Sequence, residues 1–454
     1  MILTFILPFV AILIVLIVIH ELGHFITAKL TGVKVLEFGL GYPPRIWGFT
    51  FRNTIYSINW LPLGGFVRLV GEEDPSDPQS LAAKPRPVRL LVLASGSLMN
   101  FILPIFLFAL AFMIPRDVNV GLVQIGSVVT DSPAQEAGLQ SGDIVLAVNG
   151  EEVRNPQELS LQIRLNLGET VRYRIKRPDP QGGASNEILE VPVQARWTAD
   201  DIVRTVKDGD TVSSVATSLG VPANSVREAA GIEYRLTEGQ QLTVPTDGDE
   251  ITYRVRDGDT VAAVARRLGV PQETILLAAG LPDPNELTPG EELRFSQGPT
   301  GITVGSLYPF TEKESFPPWE AIPKGWTSTI NSLILARNEV ISWFKGGGGP
   351  AVAGPVGIAQ VTGEVVERSG WQTLLQFAAL LSINLAIINI LPLPMLDGGR
   401  IMFVLLEIAR RGKRIAPERE ALVHFVGLSL IITLAVVITY FDVLRIIRGE
   451  SLFR

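Results

Sequence analysis

The segment His20-Glu21-Leu22-Gly23-His24 sets two imidazoles four residues apart with a carboxylate beside the first. On a helix, residues i and i+4 share a face, so both rings can reach one cation. Two neutral imidazoles at this spacing suit Zn²⁺. Glu21 can then take a proton from a water that the metal activates, so the pattern points to metal-assisted hydrolysis. A catalytic zinc needs a third protein ligand and an open position. With three His in all (His20, His24 and His424) and no Cys, that ligand is His424 or a carboxylate. Asp397, in Leu391-Pro-Leu-Pro-Met-Leu-Asp397-Gly-Gly-Arg, is a lone carboxylate among apolar residues and prolines. A helix cap or turn would use it equally well. His424 lies in an apolar segment, where a packed histidine is an ordinary outcome. The residues alone leave both open.

The run before the motif decides where the chemistry happens. Residues 1–19 carry no charge, and roughly 20 apolar residues cross a bilayer. The motif therefore sits in the membrane, where ionisable residues mark function. The N-terminus lacks the basic n-region and small-x-small site of a signal peptide, and cleavage there would fall on or near the motif. It reads as an uncleaved helix. Further apolar segments cover 89–114, 372–394 and 420–444.

The chain has 454 residues, enough for several domains. Charged residues make up 19% and mean hydropathy is positive, as in a membrane protein that carries sizeable soluble parts. The net charge of −7, without a basic block, argues against a nucleic-acid partner. Lys29, Lys34, Arg45, Arg52, Arg68, Lys84, Arg86 and Arg89 follow the first segment, and Arg400, Arg410, Arg411, Lys413, Arg414 and Arg419 follow the third. With four spans these loops share a side, which the positive-inside rule makes the cytoplasm. The polar stretch 116–350 is then outside. The basic C-terminal tail argues mildly the other way.

Residues 52–70 alternate in part and bend at Gly64-Gly65, which predicts a hairpin that dips toward the membrane. Residues 118–196 give strand-like runs with small polar turns. Beyond them, Val206-Lys-Asp-Gly-Asp-Thr-Val returns as Val255-Arg-Asp-Gly-Asp-Thr-Val, and Leu219-Gly-Val-Pro as Leu268-Gly-Val-Pro. Each copy reads strand, turn, helix, helix, strand, and two copies predict two small domains rather than a solenoid. Gly346 to Gly349 and Pro350 read as a flexible joint. The stretch 316–344, with Trp319, Trp326 and Trp343, reads as amphipathic and suits a membrane interface.

His20-Glu21-x-x-His24 in a first membrane helix, with Asn389-Ile-Leu-Pro-Leu-Pro-Met-Leu-Asp397-Gly in a later one, resembles the site-2 protease family of intramembrane zinc metalloproteases. Gly64-Gly-Phe-Val is similar to that family's membrane-associated β-loop, and Gly354-Pro-Val-Gly-Ile to a segment before its third helix. Ala94-Ser-Gly-Ser-Leu-Met-Asn100 resembles a second-helix pattern, with Ser97 where proline is usual. The resemblance covers about 1–115 and 300–450. It implies that His20, His24 and Asp397 hold Zn²⁺ and that Glu21 is the general base. It also implies that Asn384, Asn389, Gly65 and Phe66 lie near bound substrate. Residues 118–196 resemble a PDZ domain, and the repeats resemble LysM domains, which bind N-acetylglucosamine-containing glycans.

The expected architecture is an α-helical transmembrane core of about four helices with a β-hairpin, plus extracytoplasmic PDZ and LysM domains. Its boundaries are a first helix over 1–30, a hairpin region over 31–88, a second helix over 89–115 and PDZ over 116–197. LysM repeats over 202–246 and 251–296, a linker over 297–350, a third helix over 351–396, a cytoplasmic loop over 397–419 and a fourth helix over 420–446 follow. The expected function is proteolysis of single-pass membrane proteins within a bacterial inner membrane, anti-sigma factors or remnant signal peptides being the family's usual targets. Partners beyond substrate are the bilayer and peptidoglycan. The competing reading is a peptidoglycan-binding scaffold with a vestigial metal site. A transporter would need polar residues in more spans and repeat symmetry.

Overall fold

The computed structural model describes residues 7–447 apart from 73, 179–186, 199–200, 220–225, 227–228, 231–235, 237–238, 246–249, 257–260, 269, 271, 281–286, 297 and 348–353. It begins with α1 (Leu7–Leu30), β1 (Val35–Phe51), β2 (Thr54–Leu69) and α2 (Arg86–Met113). Next come β3 (Arg116–Val128), α3 (Pro133–Glu136), β4 (Ile144–Val148), β5 (Glu151–Glu152), α4 (Pro156–Leu165), β6 (Thr170–Arg177) and β7 (Glu187–Gln194). The repeat region holds β8 (Asp201–Thr205), α5 (Val212–Leu219), β9 (Gln241–Pro245), β10 (Glu250–Arg254), α6 (Val261–Leu268), α7 (Gln272–Ala278) and β11 (Glu292–Ser296). The chain then runs through β12 (Ile302–Glu314), α8 (Pro318–Phe344), α9 (Pro355–Ile390), α10 (Asp397–Ala409) and α11 (Pro417–Ile447). Two compact units result: 1–117 with 313–336 and 350–454, and 118–312 with 337–349.

In the first unit, α1, α2, Gln372–Ile390 of α9 and Glu418–Arg445 of α11 are long and apolar enough to cross a membrane. Their apolar faces are mostly left uncovered by protein, as lipid-facing helices require. The chain is a membrane protein. Small residues let α1 and α2 approach closely. A Cβ on Gly23 would lie 2.8 Å from Met99 Cγ and overlap the Ser95 carbonyl. Thr27 Oγ1 and Ser95 Oγ share a hydrogen bond of 2.6 Å across the same contact. At the far end of the bundle, buried Asp442 accepts the Gly357 N–H at 2.8 Å and so caps α9 from α11.

The hairpin has a tight turn the expectation lacked, at Arg52-Asn53, both with positive φ (44° and 60°). β2 also reverses between Ile58 and Gly65, near the expected bend: Glu37–Leu40 pairs with Ile55–Ile58 on one side and with Gly65–Arg68 on the other. Left-handed backbone at both central residues is what a two-residue primed turn needs, and Asn tolerates it. The far half of the ribbon exposes Trp47, Phe49, Phe51 and Trp60, while Val35, Glu37 and Gly65 near its root are buried. The expected loop over 397–419 is also corrected, because α10 fills its first part. Pro392 and Pro394 end the preceding helix. The apolar run after Asp397 then starts a new one, which Glu407 ties to Arg89 at 2.5 Å and Arg86 at 3.2 Å on α2.

The second unit is built on a sheet of order β12-β3-β4-β6-β7, with β5 on β4. Its core includes Val123, Ile125, Val145, Val148, Leu159, Ile163, Tyr173, Ile175 and Val193. Asn155 caps α4 by accepting the Glu158 N–H at 2.8 Å. The stretch 297–350, expected as an amphipathic linker, instead supplies the edge strand β12 and most of its remainder forms α8. Ile302 and Val304 pack on the sheet's core, so this domain closes only after the repeats have been traversed.

The repeats also pair differently from the expectation of two self-contained copies. β8 of the first copy pairs with β11 of the second, and β9 pairs with β10. Val206, Val212 and Val215 share a core with Leu287 and Leu293, and Leu242 and Val244 share one with Val255, Val261, Val264 and Ile275. The physical reason is that equivalent strands carry equivalent apolar faces, while β9 and β10 are only four residues apart and favour a hairpin. Of the two signature starts, Asp208-Gly-Asp-Thr is described and Asp257 to Thr260 lies outside the described residues. Gly348, Gly349 and Pro350 of the glycine-rich joint lie outside them too.

Candidate active site

His20 and His24 sit one turn apart on α1, on the face turned to α2. Their Nε2 atoms are 3.2 Å apart, and Asp397 Oδ2 lies 3.0 Å from the first and 3.2 Å from the second. Asp397 arrives from the first turn of α10, 373 residues after His24. Three donors converging this tightly form one face of a tetrahedron, whose edge is about 3.3 Å when metal–nitrogen bonds are about 2.0–2.1 Å. Among the described residues this is the one His/Asp/Glu cluster with such convergence.

The surroundings also fit a bound zinc. His24 Nδ1 lies 2.8 Å from the Val92 carbonyl on α2. Donating that proton fixes the tautomer and turns the Nε2 lone pair toward the cluster. His20 Nδ1 faces the side-chain amide of buried Asn100 at 3.4 Å, and the Asn100 Oδ1 has no hydrogen-bond partner. Amide oxygen and nitrogen are interchangeable by rotation. With them exchanged, Oδ1 accepts from His20 Nδ1–H, which leaves the His20 Nε2 lone pair to face the cluster. Gly96, between Val92 and Asn100, clears the space: a Cβ there would lie 2.6 Å from His20 Nε2 and closer still to His24 Nε2.

Glu21 points to the hairpin. A Cβ on Gly65 would lie 3.5 Å from Glu21 Cγ, and the Val67 backbone hydrogen-bonds the Glu21 carboxylate. Phe66 stacks on Tyr42 with ring centroids 6.2 Å apart and covers Gly39. The root of β2 therefore forms one wall beside Glu21. Asn384 is exposed on α9 and Asn389 half-buried, and neither hydrogen-bonds to the cluster. His424, the competing ligand, is not brought to the cluster. It accepts a hydrogen bond from the Met395 backbone at 2.8 Å.

Sequence reasoning did not give roles to Gly96, Val92 or Asn100. Gly96 and Asn100 had one signal, being small or polar within an otherwise apolar span. The Val92 carbonyl had none, since any residue supplies one.

These features define a zinc hydrolase whose metal site lies inside a bundle of membrane helices. Peptidase family M50 matches residues 8–434, and the chain belongs to that family. Zinc metalloprotease RasP of Geobacillus kaustophilus is 29% identical over 96% of this chain and 97% of its own length. RasP of Oceanobacillus iheyensis is 26% identical, with 95% and 97% covered. The chloroplastic membrane metalloprotease ARASP of Arabidopsis thaliana is 28% identical, with 96% and 78% covered. The chain is thus a site-2-protease-like metalloprotease, and Zn²⁺ is its metal.

Proposed function

We propose that the protein cuts single-pass membrane proteins, such as anti-sigma factors or remnant signal peptides, within a bacterial inner membrane. The observation that carries this reading is the convergence of two imidazoles from an apolar helix with a carboxylate 373 residues away. In it, His20, His24 and Asp397 hold Zn²⁺, and Glu21 is the general base. When bound, the metal polarises the scissile carbonyl and lowers the pKa of water. Glu21 accepts a proton from the attacking water at its carboxylate and hands it to the leaving amine nitrogen. The Val92 carbonyl and Asn100 keep the two imidazoles in place through that transfer.

A helical substrate must unwind to expose its peptide bond, and its freed backbone groups need partners in the bilayer. The Gly65–Arg68 segment of β2 pairs only with Glu37–Leu40 among the described residues, so its other edge is open for strand addition beside Glu21. Gly65 and Phe66 lie on that strand, and Asn384 and Asn389 are available to hydrogen-bond the opened substrate. We further propose that the sheet-based domain is PDZ-like and screens substrates on the outer side, excluding those with large outer domains. In the same reading the repeats are LysM-like and contact peptidoglycan.

The test is Glu21→Gln in the full-length protein, reconstituted with a single-pass reporter. Cleavage should fall at least about 100-fold while zinc content is kept. Unchanged cleavage would remove Glu21 as the base and favour the scaffold reading.

A further inference from the structure

The loop that delivers Asp397 is unusual in one respect. Met395, two residues before the carboxylate, has a φ of +74°. For a residue with a side chain, this conformation is strained and persists only where the surroundings impose it. The imposing contact comes from α11. The Met395 N–H donates to His424 Nδ1 at 2.8 Å.

The rest of α11 at this level is built around that contact. Leu422, Val423, Phe425 and Val426 are 43–66% exposed, whereas His424 is 6% exposed. Gly427, one turn on, has Pro394 so close that a Cβ would lie 2.8 Å from its Cγ and overlap its Cβ. Glu420, His424 and Gly427 share one helix face. His424 Nε2 lies 3.9 Å from the Glu420 carboxylate, and its ring is 5.4 Å from that of Phe403 on α10. The two ends of the loop also meet: a Cβ on Gly398 would overlap the Ile390 and Leu391 carbonyls. The loop is closed at its base and packed against α11, and the His424 bond is the polar grip on its strained residue.

We infer that His424 is a positioning residue for the metal site. Its Nδ1 accepts the Met395 N–H and holds the left-handed turn that presents Asp397 to the two α1 imidazoles. This rests on the reading of Asp397 as a zinc ligand. Because Nδ1 accepts, the ring proton is on Nε2, on the side of Glu420. Removing the acceptor would take its partner from the Met395 N–H in a turn that already carries strain, and the loop would relax away from the imidazoles.

The experiment measures zinc retained per chain by full-length, detergent-purified protein dialysed against graded chelator. His424→Leu should release zinc at about 10- to 100-fold lower chelator, the range expected when the support of a ligand is lost. His424→Asn, whose Oδ1 can stand near the Nδ1 position, should stay within about threefold of wild type. Met395→Gly removes the strain, so the loss caused by His424→Leu should shrink in that background. Wild-type zinc retention by His424→Leu overturns the inference. So does an equal loss in His424→Asn, or an undiminished loss in the Met395→Gly background. If His424→Leu does not fold, His424→Gln replaces it: its longer reach misplaces the acceptor, and retention equal to that of His424→Asn overturns the inference. Asp397→Ala is run beside them. Zinc kept by Asp397→Ala breaks the ligand reading, whereas zinc lost by Asp397→Ala but kept by His424→Leu breaks only the positioning role.

Discussion

Gly96→Ala should disable the metal site through a single methyl group. The added Cβ would lie 2.6 Å from His20 Nε2 and 2.7 Å from His20 Cε1, with His24 Nε2 nearer still. Ordinary contact starts near 3.4 Å, so the His20 ring must retreat by about 0.8 Å and the His24 ring by more, or α2 must recede from α1. Metal sites tolerate ligand displacements of only about 0.2 Å. If α2 recedes, the His24–Val92 hydrogen bond lengthens and the ring loses its anchor. Either route should cost about 1–3 kcal/mol of stability and lower zinc affinity about 10- to 100-fold or more. The assay is zinc content by chelator titration, with thermal unfolding in detergent and reporter cleavage measured in parallel. Gly325→Ala is the control, since its Cβ would overlap the Ile105 carbonyl and lie 3.0 Å from Ala109 N, both on α2, with no atom of the site among its three nearest neighbours. It should lose stability and keep zinc. Full zinc and wild-type cleavage in Gly96→Ala would refute the claim that this glycine clears the metal's space.

Two further outcomes follow from the same geometry. Burial alone would push the Glu407 carboxyl up, but hydrogen bonds from Arg89 and Arg86 and the charges of Arg89 and Arg414 hold it below the ordinary range. Its stabilising contribution is therefore complete above the unfolded value, about pH 4.3, and fades as pH falls through the lowered folded value. Glu407→Gln should cost about 3 kcal/mol at neutral pH, and its gap from wild type in thermal unfolding should close on acidification; a pH-independent gap would contradict the ion-pair account. Phe66→Pro removes a backbone N–H from β2 and should lower cleavage more than about 10-fold with zinc retained, through lost strand pairing, whereas unchanged cleavage would take the hairpin out of substrate handling.

The motif on α1 was legible because chemistry and position coincide there. His20, Glu21 and His24 are local in sequence, and the uncharged run before them fixes their setting. Asp397 was not legible from residues alone. Its proline- and glycine-rich neighbourhood suits a turn as well as a ligand, and His424 competed with it. The structure gives each a distinct place: Asp397 meets the imidazoles, and His424 meets the loop that carries Asp397. The bend near Gly64-Gly65 was legible from its glycines and brings Gly65 beside Glu21, whereas the tight turn at Arg52-Asn53 carries no Gly or Pro to announce it. The strand at 302–314 was hidden for another reason. Its partner β3 precedes the repeats, and no local pattern announces a strand pairing across 170 or more residues.

Distance along the chain explains why the second half of the site needs so many clamps. The two imidazoles are fixed by one helix, but Asp397 must be brought to them across 373 residues. Loop-closure entropy rises only logarithmically with such a length, so bringing the carboxylate near is a modest cost. Holding it to within a few tenths of an ångström is the harder requirement, and a proline-rich loop does not meet it alone. Side chains spread over α10 and its approach do. Arg400 pairs with Glu72 just beyond the hairpin, Glu407 pairs with Arg86 and Arg89 on α2, and the Met395 N–H meets His424 on α11. Each clamp joins the carboxylate's segment to a different element. The hairpin end, α2 and α11 thus share the task of holding Asp397 at the imidazoles, and the site draws on elements spread through the bundle.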